Sequence, residues 1–250
     1  MSGEPYFLVE RLPALGEFRL TGPEGRHAAT VRRTRVGEHL LVADGLGHRA
    51  RTVVTQVSVG RLLLRVEDVD SVAPSVPALV LVQALAKGGR DELAVETATE
   101  LGVDAVAPWQ AARSVVVWSG ERGERSRRRW EQTVRAAAKQ ARRPLVPEVR
   151  PALRTRDVAA AASTAHVLVL HEDAALPLAQ APVPAAGEVW VVVGPEGGVA
   201  PEELAELTGA GAVAVRLGPG VLRSSSAGAA ALAVLSVRLG RWGPPPATSP

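Results

Sequence analysis

Val189–Gly198 reads V-W-V-V-V-G-P-E-G-G, and about twenty residues further on Val213–Ser226 reads V-A-V-R-L-G-P-G-V-L-R-S-S-S. Each is a short apolar, β-branched run that stops at a glycine. Such a run reads as a buried strand of a parallel sheet that ends in a tight loop. Open α/β sheets take their ligands at the carboxyl ends of strands of this kind. Gly194, Gly197 and Gly198 place no side chain between a ligand and the backbone amides. Pro201-Glu202-Glu203-Leu204 then opens a helix, with proline at its first position and acids in its first turn. A single glycine loop would be an ordinary strand–turn–helix corner. Two of them, each after a strand, point to a binding site.

The same texture extends back to Ala78. Ala78–Ala84 reads as a continuous apolar strand, followed by Lys87-Gly88-Gly89-Arg90 and a helix over Glu92–Leu101 that Asp91 can cap and Gly102 ends. Val103–Val106, Ser114–Trp118 and His166–Leu170 read as further strands, the last ending in His171-Glu172-Asp173. Gly120–Ser126 reads as a charged loop before a helix of about Arg127–Arg143, stopped by Pro144. On that helix Trp130, Val134, Ala137 and Ala141 share one face, and Arg128, Arg135, Lys139 and Arg142 line a neighbouring stripe. Ala227–Leu239 reads as a closing apolar helix, and the Pro-rich tail from Gly243 as disordered. The expected class is α/β.

The first seventy residues have a different texture. Phe18–Leu20, His39–Ala43, Ala50–Val59 and Arg61–Val66 are short alternating runs, with turns at Asp44–Gly47 and Val59-Gly60. Pro23–Arg35 begins as a helix and carries His27, Arg32, Arg33 and Arg35. This predicts a small β-barrel with one short helix, joined to the rest through Asp70–Pro77. The expected domains are 1–72 and 73–243, with 244–250 as tail.

With 250 residues a sizeable core is available, and with no cysteine there is neither a disulfide framework nor a thiolate metal site. The amino terminus does not read as a signal peptide, and no uncharged apolar run reaches the length of a membrane span. A cytoplasmic protein is expected. Net charge is only +3, but Arg113–Arg156 carries thirteen Lys or Arg against four acids, while Asp157–Val215 carries eight acids and no Lys or Arg. A basic block beside an acidic, glycine-looped block predicts a polyanion on one part and a small ligand on another. The five histidines are scattered and no metal motif is present, so no metal is expected. Neither a Walker loop nor G-x-G-x-x-G occurs, and Ser224–Ser226 has no basic partner in sequence. The glycine loops therefore suit a ligand held by backbone amides and carbonyls.

G-P-E-G-G at 194–198 followed by L-G-P-G-V-L-R-S-S-S-A at 217–227 resembles the RsmE family of the SPOUT superfamily. The resemblance covers nearly the whole chain. Pro5-Tyr6-Phe7, His27–Gly37 and Ala43–Gly47 resemble that family's PUA-like barrel. Lys87, T-E-L-G-V-D at 99–104, Arg113-Ser114, Trp130, Ala138-Lys139-Gln140, Arg143 and Val146-Pro147 follow in family order. The sequence departs from the family at Gly220, often an arginine there, at Ser225 in place of a glutamate, and at Tyr6 in place of an arginine.

The resemblance implies a carboxyl-terminal sheet tied in a deep trefoil knot, a homodimer packed through it, and S-adenosylmethionine as cofactor. It places cofactor contacts at Leu170 and His171, along Val193, Gly194, Pro195, Glu196, Gly197 and Gly198, and at Leu217, Gly218, Val221, Leu222, Arg223 and Ser226. The implied reaction is methylation of N3 of a uridine in 16S rRNA, position 1498 in the usual rRNA numbering, on free RNA or on the assembled small subunit. Arg223 is the expected catalytic residue: a cation near O2 or O4 would stabilise charge developing as the N3 proton leaves. A salt bridge with Glu196 is its other expected role. RNA phosphates are expected at His27, Arg32, Arg33 and Arg35, at Arg113, and at Arg128, Arg135, Lys139, Arg142 and Arg143. A different RNA target (tRNA or large-subunit RNA), or RNA binding without turnover, are the alternatives.

Overall fold

The computed structural model describes residues 3–12 and 15–243, so the expected tail lies outside the described residues. The chain forms two compact units. One runs up to Pro74 and adds Ala138–Val146; the other comprises Ser75–Ala137 and the chain from Pro147 on.

The first unit contains strands β1 (Tyr6–Leu8), β2 (Gly16–Leu20), β3 (His39–Ala43), β4 (His48–Ser58) and β5 (Arg61–Ser71), in the sheet order β1-β3-β4-β5-β2. β1 pairs parallel with β3, and the remaining pairs are antiparallel. The long β4–β5 hairpin turns at the expected Val59-Gly60 and carries register shifts at Arg51/Thr52 and Val54/Gln56, where extra residues bend and twist the ribbon. Helix α1 (Gly22–Arg26) and a π-helical turn (His27–Val31) lie inside the expected Pro23–Arg35 stretch. Phe7, Leu20, Ala28, Leu40, Val42, Val54, Leu62 and Leu64 form the core.

The second unit is a parallel sheet. Its strands are β6 (Ala78–Ala84), β7 (Ala105–Gln110), β8 (Glu148–Val149), β9 (Leu153–Arg154), β10 (His166–Leu170), β11 (Glu188–Val193) and β12 (Val213–Val215). The order is β12-β10-β11-β6-β7-β8, with β9 also on β7. Helices α2 (Arg90–Glu100) and α6 (Ser224–Arg238) pack together on β6 and β11. The other face, through Val80, Val82, Trp109, Val167, Val169 and Val192, meets Val158 of α4 (Thr155–Ala161) and Leu207 of α5 (Pro201–Gly209). With both faces covered, β6 and β11 can be apolar at almost every position, as their sequences are.

Several local expectations need correction. Ser114–Trp118 is not a strand. Val115 and Val117 are exposed, and the Gln110 side-chain amide takes the place of a neighbouring strand, donating to Val116 O (3.0 Å) and accepting from Trp118 N (3.2 Å). Gly120–Ser126 is not a loop but the start of helix α3 (Gly120–Gln140), where Arg125 pairs with Glu121, and Arg127 with Glu124 and Glu131, at helical spacing. That helix ends at Gln140, so Ala141 lies past it and is exposed, while Trp130, Val134 and Ala137 are buried as expected. Asp91 sits inside α2 and does not cap it; the N-cap is Gly89, at φ +72°.

Candidate active site

The carboxyl ends of β10, β11 and β12 come together because β10 lies between the other two, paired to both in parallel register. His171 N donates to Val215 O (2.9 Å) just past those ends and holds the tips level. The chain leaves β11 through Gly194–Gly198, runs through α5 and β12, and leaves again through Leu217–Arg223 into α6. The two glycine corners thus face each other across a cavity of about 610 Å³. That is within the range of small-molecule sites.

The first corner folds tightly. Gly198 has φ +73°, its N donates to Pro195 O (2.9 Å), and a Cβ on Gly194 would lie 3.0 Å from Val199 N and 3.2 Å from Gly198 C. Only glycine fits there without shifting the turn. Glu196, at the tip, accepts from Arg90 Nη1 (2.6 Å). Burial opposes the charge on Glu196. Its own backbone amide, the Arg90 hydrogen bond and the positive charges of Arg90 and Lys87 outweigh burial and hold its carboxyl below the usual range. The expected Glu196–Arg223 salt bridge is not made. Arg223 is exposed, lines the cavity, and its guanidinium has no partner among the described residues.

Leu170, His171, Val193, Gly194, Pro195, Glu196, Gly197 and Gly198 all border the cavity, as do Leu217, Gly218, Val221, Leu222 and Arg223. Ser226 does not: it is exposed on α6. The helix begins at Ser224, three residues before its expected start, so Ser224 and Ala227 share the inward face and Ser226 turns away. Ser224 Oγ is buried, borders the cavity and has no partner among the described residues. Sequence reading missed Ser224 and also Arg90, Glu172, Arg216 and Gly220. The serine triplet before an apolar run was a helix-start signal. Arg90 had none, because only the sheet order brings the loop after β6 beside β11.

The expected RNA contacts divide. His27, Arg32, Arg33 and Arg35 are exposed in the first unit, His27 edge-on to Phe7 and Arg32 beside Glu38 (3.6 Å). Arg128 and Arg135 are exposed on α3 and pair with no described residue. Lys139 is different: its Nζ donates to both Glu24 oxygens (2.8 and 2.7 Å) and lies 5.4 Å from the Phe7 ring centre, so its charge is already compensated. Arg142 is exposed at φ +55° in the turn that closes α3, and the carbonyl of Arg143 accepts from Tyr6 OH (2.8 Å). Arg113 donates to Gly197 O (2.7 Å). No helix among the described residues is long and apolar enough to cross a membrane.

Residues 74–236 match the family described as RNA methyltransferase domain, and residues 20–67 match the RNA methyltransferase PUA domain. The chain is 50% identical to a ribosomal RNA small subunit methyltransferase E of Mycobacterium bovis, over 94% of this chain and 92% of that protein. A protein of the same description from Bacillus subtilis is 28% identical over 91% of each. Among solved structures, the ribosomal RNA small subunit methyltransferase E of Neisseria gonorrhoeae bound to S-adenosyl methionine superposes with a TM-score of 0.84 at 27% identity, over 94% of this chain and 98% of that one.

Proposed function

The chain belongs to the RNA methyltransferase family with an accompanying PUA domain, of the ribosomal RNA small subunit methyltransferase E type, and we propose that it methylates N3 of a uridine in 16S rRNA. It is an S-adenosylmethionine-dependent rRNA methyltransferase. The carrying observation is the cavity between the two glycine corners, with Arg223 on its rim and without a partner among the described residues.

The residues present fit the cofactor. The corners offer backbone amides and carbonyls for a nucleoside edge, Leu170, Val193, Leu217, Val221 and Leu222 offer apolar contact, and the orphaned Ser224 hydroxyl calls for a polar partner. In our reading Ser224 takes the role first expected of Ser226. When bound, S-adenosylmethionine supplies an electrophilic methyl group. Uridine N3 becomes nucleophilic only as its proton leaves, which moves negative charge onto O2 and O4. Arg223 stabilises that charge; it is free to do so because Glu196 is held by Arg90. The cation on Arg90 stays compensated and the Glu196 carboxylate keeps the corner in place.

In this reading residues 1–72 form a PUA-like barrel and residues 73–243 a knotted, dimerising methyltransferase domain. The bulged β4–β5 ribbon supports the barrel. Exposed Leu93, Val237 and Trp242 in the second unit supply apolar surface for a second copy. His27, Arg32, Arg33 and Arg35, with Arg128 and Arg135, hold the RNA by its phosphates, and the protein acts in the cytoplasm on free 16S rRNA or on the assembled small subunit. The test is methylation in vitro with isotopically labelled cofactor, followed by nucleoside analysis of 16S rRNA, 23S rRNA and tRNA. N3-methyluridine in 16S rRNA alone is expected. Label in another RNA, or in none, would overturn the assignment.

A further inference from the structure

We propose that Arg113 is a positioning residue for the cofactor corner, acting through Gly197, and not an RNA-phosphate contact. The proposal rests on the cofactor reading above. Arg113 follows β7, two strands away from β11 in the sheet. Its guanidinium Nη1 donates to Gly197 O (2.7 Å), and a Cβ built on Gly197 would lie 3.4 Å from Arg113 Cβ and 3.5 Å from Cδ. The arginine stem therefore lies along the bare face of the glycine while its head holds the glycine carbonyl. Nη1 is thereby committed to a protein carbonyl, and the salt slope of RNA binding decides whether the remaining donors reach a phosphate.

The turn that carries Arg113 is itself anchored to the corner's far end. Ala112 N donates to Glu203 Oε1 (2.9 Å), and the same buried carboxylate accepts from Thr155 Oγ1 (2.6 Å) and from Ala200 N (3.3 Å). Glu203 belongs to the first turn of α5, the helix into which the corner feeds. The segment from Gly194 to Ala200 is thus held at three successive points: Glu196 by Arg90, Gly197 by Arg113 and Ala200 by Glu203. A corner with three glycines has much conformational freedom to lose on binding. Fixing it beforehand lowers the ordering cost that the ligand must meet. Arg113 is exposed, so the fold itself does not rest on it.

The test compares wild type, Arg113→Ala and Arg113→Lys in three measurements. Calorimetric titration with S-adenosylmethionine is expected to show affinity reduced ~tenfold in Arg113→Ala and partly restored in Arg113→Lys, whose ammonium can still reach the carbonyl. The salt dependence of RNA affinity, measured without cofactor, is expected to keep its slope in Arg113→Ala, whereas loss of a phosphate contact would lower it by about one. Amide hydrogen exchange without cofactor is expected to quicken at residues 196–199 and not in β11. Unchanged cofactor affinity, a reduced salt slope, or unchanged exchange at 196–199 would each overturn the proposal. If the wild-type chain itself gives no heat with the cofactor, it is the functional reading that falls, and the exchange measurement still decides the role of Arg113.

Discussion

Arg223 and Tyr6 show how a single side chain's surroundings set what it can do. Arg223 stands at the cavity rim without a partner among the described residues, while Glu196 is held by Arg90. Arg223→Ala is expected to fold normally and to lose ~10²–10³-fold in methyl transfer, the usual effect of removing a donor to developing negative charge; a turnover assay with the melting curve as control checks this. Tyr6, the chain's one tyrosine, is in the opposite situation. Burial pushes its phenol up from 10.0 to about 12; Asp44 and Asp70 add to the rise and Arg49 partly opposes it. The hydroxyl donates to Arg143 O, and that bond needs the proton. Since the folded value is the higher one, the stabilisation is fully present below pH 10 and is lost as pH climbs towards 12. Absorbance at the phenolate band reports Tyr6 alone. Its midpoint is expected near 12 in the folded protein and near 10 in urea.

Among the elements of the second unit, α6 carries a tight packing constraint. A Cβ on Gly228 would lie 2.8 Å from Leu81 Cδ1, and Leu81 is fully buried on β6. Gly228→Val is therefore expected to destabilise the protein by about 2 kcal/mol despite removing a helix glycine. Gly209, at the end of α5, has nothing within 4 Å of such a Cβ. Gly209→Ala is expected to leave stability unchanged or raise it by up to ~1 kcal/mol. Thermal melts of the two variants give the comparison. The same elements show what the sequence reveals. β6, β10 and the start of α5 are legible to the residue, because nearly continuous apolar runs and a Pro-Glu-Glu opening are local signals. The Gln110 amide that satisfies the 116–118 backbone is not, since it stands in for a strand without changing the apolar pattern. Nor are the short β8 and β9, two residues each. Arg90 entered the site through strand order, which no contiguous motif records, and Ser224 through helix phase, for which the serine triplet was the one local signal.

For the molecule as a whole, charge and cavity belong to different tasks. Exposed Arg128 and Arg135 should add to RNA affinity without sequence preference. Replacing both by alanine is expected to lower the log–log salt slope of RNA binding by about two while leaving cofactor affinity intact. Lys139, already paired with Glu24, should contribute little to that slope. The central claim is that the glycine corners after β11 and β12 clasp S-adenosylmethionine between them. The most direct measurement is a crystal structure of the protein soaked with that cofactor. The account predicts ligand density between Gly194–Gly198 and Leu217–Ser224, in contact with the Ser224 hydroxyl and with Glu196 still held by Arg90. Density elsewhere, or an empty cavity in crystals shown to tolerate the soak at saturating cofactor, would contradict it.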